Sequence, residues 1–179
     1  GIVLQKAHSA GGACDVAWRP ANGSGGEHEL LTTGFDTVLK LWDLRRATSS
    51  RNSSSSSSSS RIDSSLSPQK PLREFRGHIP PPAPNRAPPK LKNITRPRFL
   101  GATGATIAVC GDTTHHLTLF DTSTGAIISR GELDEYATTI VQVTDGCSNG
   151  GAEVGVSVAV AEASGRIKIL KQHQQQRKL

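Results

Sequence analysis

Short apolar runs recur along the whole chain, each bounded by Gly, Asp, Asn or Ser. Within the runs, β-branched and aliphatic residues alternate with polar ones or stand in brief blocks. That is the period of a strand and not of a helix. The pattern predicts strands at Ile2–Gln5, Asp15–Trp18, Glu29–Thr33, Leu39–Asp43, Leu72–Phe75, Thr95–Leu100, Thr106–Cys110, Leu117–Asp121, Ala126–Ser129, Thr138–Val143, Val156–Ala161 and Ile167–Leu170. No segment sustains a helical repeat, so the expected class is all-β.

The strands fall into similar units. The first reads Ala7-His8, then CDVAWRP, then LLTTGFDTVLKLWD. The second reads Gly77-His78, then ITRPRFL, then TIAVCGDTTHHLTLFD. The third has no Gly-His, then TTIVQV and VSVAVAEASGRIKILK. Further strands, PLREF and AIIS, lie between the units. A strand–turn–strand order repeated about every forty residues is the signature of propeller blades.

Gly77-His78, the Trp42-Asp43 dipeptide with its echo Phe120-Asp121, and the Leu-Thr-Thr-Gly-x-Asp run before Trp42 make the chain resemble the WD-repeat family. The resemblance is strong in the first unit, weaker in the second and weakest in the third, where Leu170-Lys171 stands in place of Trp-Asp. It implies a partial WD-repeat β-propeller of about three blades. It also implies a hydrogen-bonded tetrad of His8, Thr32, Asp36 and Trp42, with a structural role. Counting back from Phe120 sets Cys110 at the Thr32 position and Thr114 at the Asp36 position. The second tetrad is therefore expected to be broken and its blade less rigid, unless Asp112 compensates.

Three units are short of the roughly 4–8 blades of a closed propeller. Methionine is absent and residue 1 is Gly. The chain is thus expected to be the C-terminal part of a larger, seven-bladed ring. Residues 1–46 would hold a preceding outer strand and three strands of the first blade, with its outer strand at 71–79. Residues 47–70 form a Ser-rich insert that includes Ser53–Ser60, and residues 80–92 a Pro-rich basic loop. Residues 93–131 form a degenerate repeat, 132–171 a degenerate terminal blade and 172–179 a polar tail.

The inserts account for a hydrophobic content of only 35%, because neither can bury enough apolar surface to order itself. They also locate the charge. Residues 61–100 carry nine Lys and Arg against Asp63 and Glu74, a net +7, which leaves −1 for the rest of a chain of net +6. Arg86, Lys90, Lys92, Arg96 and Arg98 are therefore candidates for a basic contact surface, toward nucleic acid or an acidic protein. A solvated linker would look the same.

Cys14, Cys110 and Cys147 are sparse and odd in number, which fits reduced thiols in the nucleus or cytoplasm. Asn22, Asn52 and Asn93 open formal glycosylation triplets, read as chance matches without a secretory signal. The sequence has no apolar run near 18 residues, so no membrane span is expected. It has no phosphate-cradling loop, nucleophile elbow or zinc-finger spacing, so neither an enzyme nor a metal or cofactor site is expected.

One stretch narrows the function. Leu30–Arg45 reads LLTTGFDTVLKLWDLR. It is similar to the sixteen-residue box of WD-repeat substrate receptors of cullin-4 RING ubiquitin ligases: paired aliphatics, small residues, Asp36, then Leu39, Lys40, Leu41, Trp42-Asp43 and Arg45. The resemblance implies binding to the damaged-DNA-binding adaptor of those ligases, with Asp43 and Arg45 as contacts. Most of the box is simply a good repeat, and only Arg45 is extra. A guanidinium just beyond a strand end offers a fork for carboxylates, yet it can equally staple an acid of its own blade. An adaptor-binding receptor and a generic platform of another complex, including RNA-processing or chromatin assemblies, both remain open.

Overall fold

A computed structural model of the chain describes residues 4, 6–9, 12–21, 26–45, 70–79, 95–111, 114–144 and 156–171. Eleven strands order these residues: β1 (Ala13–Trp18), β2 (Glu29–Gly34), β3 (Leu39–Asp43), β4 (Arg73–Phe75), β5 (Thr95–Leu100), β6 (Thr106–Gly111), β7 (Thr114–Asp121), β8 (Ile127–Glu132), β9 (Ala137–Thr144), β10 (Val156–Glu162) and β11 (Ile167–Lys171). The first expected strand, Ile2–Gln5, lies outside the described residues apart from Leu4, as do the Ser-rich and Pro-rich inserts and Asp112.

The strands form three antiparallel meanders. Blade one has the order β1-β2-β3-β4, blade two β5-β6-β7-β8, and blade three β9-β10-β11. The fold is all-β, a partial propeller of WD-repeat type. The first strands neighbour one another across the blades: β5 lies against β1 and β2, and β9 against β5 and β6. Polar contacts help lock the first junction. The Thr33 hydroxyl donates to the Thr95 carbonyl at 3.0 Å, and Arg98 Nη1 pairs with Asp15 Oδ2 at 2.9 Å. At the second, the Gly101 amide donates to Gln142 Oε1 at 2.9 Å.

Strand alternation gives each blade two faces, one toward the preceding unit and one toward the next. Leu31, Leu39, Leu41 and Phe75 of blade one pack against Phe99, Ile107, Val109 and Phe120 of blade two. Phe75 and Phe120 meet edge to face at 5.5 Å. Leu100, Ala108, Cys110 and Leu117, on blade two's other side, pack against Ile140, Val158 and Val160 of blade three. Each fully buried large side chain contributes about 1.5–3 kcal/mol, so these two layers hold the blades together.

The pairing register makes the blades comparable position by position. Leu30 pairs with Trp42 and Leu31 with Leu41; Ile107 pairs with Phe120 and Ala108 with Leu119; Val158 pairs with Leu170 and Ala159 with Ile169. Trp42, Phe120 and Leu170 thus share one site in three blades.

Candidate functional site

Blade one builds a chain of hydrogen bonds from its outer turn to its core. His8 Nδ1 lies 2.8 Å from Asp36 Oδ1, and its Nε2 lies 2.8 Å from Thr32 Oγ1. The Trp42 indole N–H donates to the same Thr32 oxygen at 2.8 Å. A carboxylate accepts only, and a hydroxyl donates once. Every group is satisfied when His8 carries its proton on Nδ1, Thr32 donates to Nε2, and Trp42 donates to Thr32. Asp36 also accepts from the Ser9 amide at 3.0 Å and the Val38 amide at 3.3 Å. Burial pushes the Asp36 carboxyl up, but these amides and the His8 ring outweigh it and hold its pKa below the usual carboxylate value.

The motif's glycine has a steric reason. A Cβ on Gly34 would sit 2.3 Å from His8 Cγ. The imidazole therefore reaches Thr32 only across a bare backbone.

Arg45 lies just past the end of β3 and turns back on its own dipeptide. Its Nε and Nη2 each donate to Asp43, at 3.0 Å to Oδ1 and 3.0 Å to Oδ2, and its amide donates to Oδ1 at 3.0 Å. The Asp43 hydrogen bonds and charge hold the guanidinium above its ordinary pKa. The Arg45 side chain stays 56% exposed while Asp43 is 9% exposed. The fork is thus fixed in direction by a carboxylate at its base, with the Arg45 side chain more than half exposed.

Blade two departs at each point. Its hairpin is one residue longer, so Val109, not Cys110, takes the register of Thr32. Cys110 faces blade three, where burial pushes its thiol up to about 12. His78 is buried edge-on to the Phe120 ring at 6.2 Å, and neither ring nitrogen has a hydrogen-bond partner among the described residues. Burial lowers its pKa to about 4. Asp121 holds no arginine, since Ser123 stands where Arg45 would. Hydrogen bonds from the Ser123 hydroxyl and from the Thr124 amide and hydroxyl lower its pKa to about 2. Blade three replaces the motif with Glu162, a buried residue that no sequence signal singled out. Its Oε1 accepts from the Asp134 amide at 3.1 Å.

Of the basic candidates, Arg96 and Arg98 lie on β5, and Arg98 is engaged by Asp15. Arg86, Lys90 and Lys92 lie outside the described residues. Among the described residues no group of three or more His, Cys, Asp and Glu could hold a metal ion. No helix among them is long and apolar enough to cross a membrane.

The blades and their register place the chain with WD-repeat β-propellers in architecture. No protein-family profile matches it, and neither does any curated protein. Among solved structures it is similar to a chain of the crystal structure of a mitotic checkpoint complex, with a TM-score of 0.50 and 15% identity over 93% of this chain and 40% of that one. It is also similar to the WD40 β-propeller domain of Doa1, with a TM-score of 0.45 and 13% identity over 94% of this chain and 43% of that one. The chain therefore spans less than half the length of either, and at such identity the likeness speaks to fold alone.

Proposed function

We propose that the chain is a non-catalytic platform for protein partners in the nucleus or cytoplasm, and that the end of β3 docks the damaged-DNA-binding adaptor of a cullin-4 RING ubiquitin ligase. The observation that carries this reading is the Asp43–Arg45 fork. The guanidinium is more than half exposed, and its direction is set by two bonds to one carboxylate. Such a group gives up little rotamer freedom when a partner carboxylate or carbonyl meets it. The rest of the box, from Leu30 to Trp42, forms the two strands and the turn that hold β3 still.

Capture of the purified adaptor by this chain tests the reading. Arg45→Ala and Arg45→His are expected to weaken capture by about tenfold or more, the cost of an interface anchor. The melting temperature should fall only modestly, because Arg45 is more than half exposed and solvent screens its pair with Asp43. Unchanged capture by a folded Arg45→Ala chain would sink the idea.

The same fork favours a second reading. Arg45 is already paired within its own blade, which suits a generic platform of another assembly. On that reading Arg45→Ala leaves every partner bound. Nucleic-acid binding has less support, since Arg98, one of the two basic candidates on β5, spends its charge on Asp15.

A further inference from the structure

The pairing register shows where the second junction is short of side chains. Leu39 stands three residues before Trp42, and Leu117 three before Phe120, so the two leucines are counterparts. Leu39 pairs with Phe75 on β4, whereas Leu117 pairs with Gly131 on β8. Leu41 pairs with Leu31, whereas its counterpart Leu119 pairs with Ala108. A phenylalanine and a leucine thus fill the first junction where the second has a glycine and an alanine. Phe75 is fully buried and meets Phe120 edge to face at 5.5 Å. In the matching place of the second junction lies a cleft of about 320 Å³ between β8 and β11, with Leu117, Val158 and Leu170 in its lining. Both small residues belong to blade two, whose four strands are all described, so the cleft has its cause inside the chain.

The first junction also shows what kind of group fits there. Its ring arrives on an extended strand, with Glu74 just before it. The charge beside the cleft is of one sign. Arg130 and Lys171 are its charged lining residues, and no acid among the described residues lines it. Aliphatic walls accept an aromatic ring, and cations beside them favour carboxylates on either side of that ring. We propose that this cleft binds the aromatic side chain of an extended acidic segment of a partner protein. The ring stands on Leu170 as Phe75 stands on Phe120. One buried aromatic anchor supplies most of the affinity of such a segment, and the flanking charge sets its register. The site is separate from the fork at Arg45, which lies past the end of β3 in blade one.

Fluorescence anisotropy of a labelled peptide, one phenylalanine set between glutamates, tests this against the 179-residue chain. Saturable binding is expected. Alanine in place of the peptide's phenylalanine should weaken binding by about tenfold or more, the worth of one buried aromatic anchor. Lysines in place of its glutamates should weaken binding as well. Gly131→Phe builds into blade two the ring that blade one carries and should weaken binding by about tenfold or more. The Gly131 backbone is not left-handed, and the nearest atom to a Cβ there is Leu170 Cδ1, at an ordinary 3.6 Å. The variant is therefore expected to keep its strand signal in circular dichroism. Ser129→Trp, at an exposed position of β8 that lines the cleft, obstructs it independently and serves should Gly131→Phe misfold. A wild-type chain that shows no saturable binding overturns the proposal. Binding that survives both variants overturns it too. So does equal binding of the alanine peptide, the mark of an acidic peptide adhering to a chain of net charge +6.

Discussion

Blade one buries the Trp42 indole where blade two buries the Phe120 ring, and each blade sets a histidine beside that site. The company of the two histidines differs. His8 bonds Asp36 and Thr32; His78 meets Phe120 and, among the described residues, no hydrogen-bonding group. One site is thus held by a directional chain of polar bonds, the other by apolar contact. Both give a four-stranded blade, because the sheet and the layer between blades do most of the holding. The polar chain instead fixes where the Asp36 turn and the end of β3 lie, and Arg45 leaves the sheet at that end.

Acid breaks the comparison most strongly. His78 has a folded-state pKa of about 4 against an ordinary value of 6.5. Between those values the unfolded chain binds the proton and the folded one resists it. The stability held by neutral His78 is complete above about pH 6.5 and is lost as pH falls toward 4, by roughly 3 kcal/mol. Asp36 of blade one is also held below its ordinary value, 3.8, but there the fold favours the charged form, so its contribution persists through that window and is lost only at lower pH. Urea midpoints measured from pH 7 to 4 should fall for the native chain and fall much less for His78→Leu. Parallel slopes for the two would remove His78 as the cause.

Alternation alone placed the strands. Leu39–Asp43 and Thr95–Leu100 run over the residues expected, and the other nine described strands overlap their expected spans. A half-buried strand needs apolar side chains on one face, and that demand is visible in any run of β-branched residues. His8, Thr32, Asp36 and Trp42 were named as a set only through the resemblance to the WD-repeat family, not from the alternation of apolar and polar residues. Register across a hairpin was not legible. Counting back from Phe120 assumed equal hairpins, but the β6–β7 pairing slips between Val109 and Gly111. A slip of one residue moves a side chain to the opposite face, which is why Cys110 faces blade three and Val109 takes the Thr32 position. The partner of Arg45 was not legible either, because Asp-x-Arg spacing does not say whether the side chain turns back or outward. Glu162 carried no signal, since its role depends on an amide from another hairpin.

A pair of hydroxyl deletions sharpens the comparison with smaller effects. Thr and Val have nearly the same shape, so the substitution removes a hydroxyl and little else. In blade one, Thr32→Val strips a partner from both the His8 ring and the Trp42 indole. Leaving buried polar groups unpaired costs about 1–3 kcal/mol each, so a loss of about 2–4 kcal/mol is expected. In blade two, Thr118 is fully buried and its hydroxyl meets no hydrogen-bonding group among the described residues. Thr118→Val gives up no bond there and spares the cost of burying a hydroxyl, so a change within about 1 kcal/mol, in the stabilising direction, is expected. Urea midpoints at unchanged slope measure both. If Thr118→Val costs as much as Thr32→Val, the Thr118 hydroxyl is satisfied through buried water. Blade two would then hold a polar network of its own, and the contrast between the blades would be one of wet against dry bonding and not of polar against apolar.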